Sequence, residues 1–207
     1  MAPGRVESAP QNRYIYPGSV GVGTKVSAMP NNRLAELMHY VIWRSDPSEL
    51  GATKLNKICW YSDLESYRAL GAAITGATHY KRLQHGPAPK NANRVIDYLQ
   101  QSGKIAVSKE NYFDRPKTMY MALTHPPIDA FTSDEIAIID HIAEIICSKH
   151  TAASISHLSH DGLWEEIEMG ADIPVAAASV IPGEITAEDL DWATSAISSL
   201  NANRAPT

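Results

Sequence analysis

The chain has 207 residues, 44% of them apolar and 20% charged, and a net charge of −5. That balance describes a soluble globular protein and argues against a disordered or membrane-embedded one. No run approaches the roughly 20 apolar residues that a bilayer span requires, and the opening "MAPGRVESAPQNRYIYPGSV" lacks the basic-then-apolar order of a signal peptide.

Charge is divided along the chain. Residues 1–127 carry 16 Lys and Arg against 9 Asp and Glu, while residues 128–207 carry 2 against 14. Such a split describes either two differently solvated faces of one domain or a basic part that meets an acidic partner or nucleic acid. Cys59 and Cys147 lie in apolar-patterned stretches without CxxC spacing, so they read as buried free thiols of a reducing cytoplasm, with a disulfide between them as the alternative.

Residues 1–30 mix Pro, Gly, Ser and Asn without helical periodicity and read as an arm. Asn31 or Asn32 then caps a helix whose Leu34, Leu37, Met38, Val41 and Ile42 fall at i, i+3, i+4, i+7 and i+8. Pro47 ends it, because proline disfavours helical geometry at the residue before it. Thr53 is the expected cap of "KLNKICWYSDLESYRAL", with Leu55, Ile58, Cys59 and Leu64 inward and Gly71 as a left-handed stop. A strand is predicted around Thr78 to Leu83, closed by a Gly86-Pro87 turn that leads into a helix over about 91–102. Val95, Ile96 and Leu99 are its core face and Gly103 its stop.

"KIAVS" and "KTMYMAL" flank the polar "KENYFDRP" and predict an antiparallel hairpin. Thr132-x-x-Glu135 is a capping box before a helix with isoleucines at 136, 139, 142 and 146. "TAASISHLS" and "LWEEIEMG" predict short helices, the second ended by Gly170, and "TAEDLDWATSAISSL" a last one. The sum is an α+β fold, mainly α-helical, with a small antiparallel β-sheet or hairpin that is partly winged-helix-like.

Chemistry is sparse. The helix over 91–102 and its hairpin resemble the second half of a winged helix, offering Asn91, Asn93, Arg94, Gln100 and Gln101 to base edges. Against DNA, residues 71–90 intervene where a helix-turn-helix allows only about 3–4 residues, and Asp97 and Asp114 add negative charge. His157, His160, Asp161 and Glu165 are the best metal candidates, but no second ligand pair of recognisable spacing accompanies them. Both thiols occupy core-facing positions where sulfur is inert. "GSVGVG" at 18–23 lacks the spacing, strand and helix of a dinucleotide site. The residues themselves point to no enzyme, cofactor or metal.

The stretch "KLNKICWYSDLESYRALGAAITGATHYKRLQHGPAPKNANRVIDYLQQSGKI", followed by "SHLSHDGLWEEIEMGADIP", resembles the Panacea domain of SocA-like antitoxins. The resemblance rests on Lys54, Leu55, Tyr61, Asp63, Gly71, Ile74, Thr75, Gly76, Tyr80, Gly86, Pro87, His160 and Trp164, and spans about 31–175. It implies a bacterial or phage antitoxin that neutralises a cognate toxin by protein contact. In one branch the domain is an adaptor that delivers the toxin to a cytoplasmic AAA+ protease. It implies no catalytic residue and no cofactor.

The expected layout is an N-terminal arm at 1–30, a Panacea-like domain at 31–180, and a C-terminal helix and tail at 181–207. Asp63, Gly76, Gly86, Pro87 and Trp164 are expected to be structural, with Trp164 in the core. Tyr80, Lys81, Arg82, His85, Lys90 and Arg94 are expected to form a basic rim for the toxin, joined by Lys54, Lys57 and Arg68. Nucleic acid and membrane are not expected partners, and a winged-helix-like transcriptional regulator is the alternative.

Overall fold

The apolar spacing of Leu34, Leu37, Met38, Val41 and Ile42 resolves into the helix Asn32–Arg44 (α1), with all five side chains buried. The structure, a computed structural model, describes residues 32–112 and 115–179. The expected arm at 1–30, the "GSVGVG" stretch, the hairpin tip at 113–114 and the segment 181–207 lie outside the described residues.

After α1 the chain turns at Asp46, whose carboxylate accepts the Ser48 N–H at 2.7 Å. The helix Ala52–Leu70 (α2) then runs through the centre of the domain and packs against most of the other helices. Its N-terminal residue is Gly51 and no side chain caps it, so the expected Thr53 cap is corrected: Thr53 already lies within the first turn. Gly71 closes the helix at φ 81°, its N–H bonding the Tyr67 carbonyl.

Strand His79–Leu83 (β1) pairs antiparallel with Gly86–Ala88 (β2) in the register Lys81 to Ala88, Arg82 to Pro87 and Leu83 to Gly86. Gly86 and Pro87 are therefore strand residues, and the reversal falls on Gln84 and His85. Proline fits there because a short edge strand need not donate at every position. Asn91 takes a left-handed conformation at φ 63° and leads into Ala92–Gln101 (α3), whose Val95 and Leu99 are buried and Ile96 half-buried. The hairpin of Ile105–Tyr112 (β3) and Arg115–Ala122 (β4) follows as expected, pairing Ile105 with Ala122 and Tyr112 with Arg115.

The Thr132–Glu135 capping box opens Ser133–Lys149 (α4). Ile139 and Ile146 are buried in it, while Ile136 and Ile142 are only partly covered. A second capping box, Thr151 with Ser154, opens Ala152–Leu158 (α5), and the Asp161 carboxylate caps Gly162–Glu166 (α6). Strand Asp172–Pro174 (β5) adds to the free edge of β1, giving the sheet order β2-β1-β5, and Val175–Ala178 (α7) returns to α2. The fold is mainly helical with small antiparallel sheets. Gly170, expected to end α6, instead takes φ 81° beyond it and donates to the Arg82 carbonyl at 2.8 Å.

Candidate functional site

Two polar clusters lie where β1 and β2 meet α2. Asp63 anchors the first. It is fully buried, and its carboxylate accepts the Thr75 N–H at 2.9 Å, the Thr75 hydroxyl and the Tyr80 hydroxyl at 2.7 Å. The Tyr80 oxygen also lies 3.0 Å from the Cys59 carbonyl, and the Tyr80 ring packs edge-on against Trp60. Burial pushes the Asp63 carboxyl up, and the bonds from Thr75 and Tyr80 pull against that shift. Gly76, at φ 69°, closes the turn that carries Thr75 into place. Tyr80 has no exposed surface, so its expected place on the partner-binding rim is corrected: it is core.

Gly86 anchors the second cluster. At φ 91° it sits in the left-handed region, and a Cβ there would run into Ser159 Oγ and Lys57 Nζ. Lys57 is 1% exposed, and its ammonium donates to the Pro87 carbonyl at 2.8 Å. No carboxylate pairs with it among the described residues, and burial lowers its pKa from 10.5 to about 7. The sequence reading placed Lys54 and Lys57 on the rim, and both are buried. Lys54 bonds the Cys147 carbonyl at 3.1 Å and lies 3.5 Å from Glu49.

Three further side chains stack. The His160 and Trp164 rings are nearly parallel at 8°, with centroids 3.7 Å apart, and the Arg82 guanidinium carbon lies 4.0 Å from the Trp164 ring centre. Trp164 is only partly buried, which corrects its expected place in the core: it is the platform of an exposed-edge stack rather than an interior residue. Arg82 Nε, His160 Nε2 and Trp164 Nε1 are each covered yet have no hydrogen-bond partner among the described residues. Burial, then the charges of Lys57, His157, Arg82 and His85, hold the His160 pKa below its ordinary value.

The rest of the expected rim divides. Lys81 and Lys90 each lie 2.7 Å from the Asp172 carboxylate, which they hold down at about 2. Their charge is already answered by β5. His85 and Arg94 are exposed, and Arg94 lines a cleft of about 250 Å³ with His79, Lys90 and Asn91. Arg68 donates to the Ser179 carbonyl at 2.8 Å and is a tether for α7. Among the described residues the expected rim is thus a guanidinium without an ion pair, two neutralised lysines, an exposed His85 and an arginine facing a cleft.

Sequence reasoning put Lys57 on the basic rim rather than in a buried cluster, and passed over His160 as the ring stacked on Trp164. The signal for His160 was present: it directly precedes Asp161, the cap of α6, where a side chain can fold back onto the first turn that carries Trp164. Lys57 lay on the apolar face of α2 beside Ile58, and its position between inward residues was the available sign.

Among the described residues no three His, Cys, Asp or Glu side chains gather as metal ligands, and no helix is long and apolar enough to cross a membrane. Cys59 is buried and Cys147 half-buried, both free, and burial raises both thiols. A family model described as antitoxin SocA-like, Panacea domain, matches residues 55–165, more than half of the 207 residues. That span is narrower than the resemblance over 31–175, yet it includes Lys57, Asp63, Tyr80, Arg82, Gly86, His160 and Trp164. No curated protein and no solved structure matches.

Proposed function

The chain belongs to the SocA-like antitoxins of the Panacea domain, and we propose that it neutralises one cognate toxin by direct protein–protein contact. The family match over residues 55–165 carries this reading. The polar chemistry is in keeping with it: Trp and Arg, which form the half-buried stack with His160, are among the residue types enriched in protein interfaces. The buried thiols offer no activated nucleophile. Delivery of the bound toxin to a cytoplasmic AAA+ protease is the finer mechanism that fits the same contact.

Nucleic-acid reading by α3 and the β3–β4 hairpin has weaker support. Exposed Asp97 and Glu110 put negative charge on both elements, where phosphate would approach.

Co-expression with the product of each neighbouring gene tests the proposal. One product is expected to arrest growth alone, to be tolerated in the presence of this chain and to co-purify with it. If every toxic neighbour stays toxic and none co-purifies, the antitoxin reading is wrong. Toxin half-life in protease-deficient cells separates delivery from simple blocking: delivery requires the half-life to lengthen there.

A further inference from the structure

We propose that Arg82, propped on the Trp164 ring against which His160 stacks, is the receptor for a carboxylate side chain of the partner protein. This rests on the antitoxin reading for the identity of the partner, and on the geometry of this chain for the site itself.

Buried polar groups in folded proteins nearly always find partners, so each exception asks for an explanation. Here three exceptions fall on Trp164 and the two side chains that pack on its ring: Arg82 Nε, Trp164 Nε1 and His160 Nε2. Two of these are fixed N–H donors, and the third becomes one in the Nε2–H tautomer. Arg82 forms no ion pair among the described residues, although the neighbouring Lys81 does. The carboxylate next to the stack in sequence, Asp161, is engaged with the Trp164 backbone N–H at 2.8 Å. Behind the stack, at Gly86, lies the equally unpaired ammonium of Lys57. Among the described residues, no counter-charge faces the Arg82 guanidinium.

The surroundings choose the class of anion. Leu83 follows Arg82, Leu158 precedes Ser159, and Met169 precedes the Gly170 N–H that bonds the Arg82 carbonyl. All three are large apolar side chains at 46%, 58% and 57% exposure. Exposed apolar side chains on the segments that carry the stack suit a protein partner better than a phosphate backbone. Lys81 and Lys90, which a nucleic-acid backbone would recruit, are held by Asp172. The planar fork of a guanidinium fixed on an aromatic face matches a carboxylate with two parallel bonds.

The chain alone supplies the first test. In ¹⁵N-labelled protein the Trp164 indole N–H and Arg82 Nε–H signals, assigned with Trp164→Phe and Arg82→Lys, are followed during titration with sodium acetate. Sodium chloride at matched ionic strength is the control, and inorganic phosphate a separate arm. Both signals are expected to shift saturably with acetate and to stay fixed in chloride. Failure of both to shift, or saturation by phosphate alone, overturns the carboxylate site.

The second test uses the neutralised toxin. Arg82→Gln is expected to weaken the complex at least tenfold while leaving the melting temperature unchanged, and Trp164→Phe to weaken it less. An unchanged Kd in a folded Arg82→Gln protein removes the partner from the proposal. Acetate binding in a chain that neutralises no neighbour sinks the antitoxin reading, and the partner assignment falls with it, while the anion site stands.

Discussion

Lys57 and Asp63 lie on the same helix, both essentially without exposed surface, and the fold treats them in opposite ways. Asp63 receives three hydrogen bonds, from the Thr75 amide and hydroxyl and from Tyr80, which tie α2 to the Gly76 turn and to β1. Lys57 gives one hydrogen bond to a carbonyl and meets no carboxylate among the described residues, and Arg82, Trp164 and His160 beside it are left with unpartnered nitrogens. Each buried donor left unmade costs about 1–3 kcal/mol, so a cluster of them is retained against stability. A closed network holds architecture together. An open one leaves polar nitrogens without partners among the described residues.

The sharpest way to break the comparison is Gly86→Val. A branched side chain at φ 91° is strained by itself, and its Cβ would run into Ser159 and Lys57. Backbone strain of about 1–3 kcal/mol and overpacking of a similar size give a loss of roughly 4 kcal/mol. Thermal unfolding is expected to show a protein near or below the threshold of folding. A Gly86→Val variant that melts within a few degrees of wild type would show that β2 does not press on Lys57 as described.

Next in size is Asp63→Ala, which leaves the Thr75 amide, the Thr75 hydroxyl and Tyr80 without their acceptor. Bonds to a charged group are worth about 1.5–3 kcal/mol each, with partial relaxation expected among the three. We expect roughly 3 kcal/mol of destabilisation in urea, with toxin affinity unchanged in the fraction that folds. Full stability in this variant would remove the distinction between a structural and a receptive cluster.

The smallest effect is one of pH. Lys57 titrates near 7 in the folded chain, against about 10.4 when unfolded. Between those values the unfolded chain holds a proton that the folded chain has released, so stability rises with pH across the window. Above about 10 the direction reverses, because Tyr40 and Tyr61, pushed up to about 12 by burial, keep protons that the unfolded chain loses. Wild type is therefore expected to gain up to about 3 kcal/mol between pH 7 and about 9.5. Lys57→Met should flatten this rise and be the more stable protein at pH 7. Parallel stability curves for the two proteins would mean that Lys57 is already neutral, or already paired, at pH 7.

Much of the fold was legible because it is local. Leu34 to Ile42 state their helix by spacing, Thr132 and Glu135 state a helix start, and the polar "KENYFDRP" between two apolar runs states the hairpin. The errors are equally specific. Thr53 was read as a cap when the helix begins before it, and Gly86-Pro87 as a turn when both residues pair with β1. β5 has three residues and no pattern of its own, and its pairing with β1 joins segments far apart in sequence.

The candidate site depended on such distant contacts. By itself the sequence determined the helical elements, the family resemblance and which side chains carry positive charge, because periodicity, caps and ordered motifs act between near neighbours. Only the tertiary structure decided which of those charges is available. Asp172 arrives on β5 to neutralise Lys81 and Lys90, and α2 carries Lys54 and Lys57 inward. Trp164 comes up under Arg82 instead of entering the core. Charge is a property of a residue, but its pairing is a property of distance, and distance between remote segments exists only once the chain has folded.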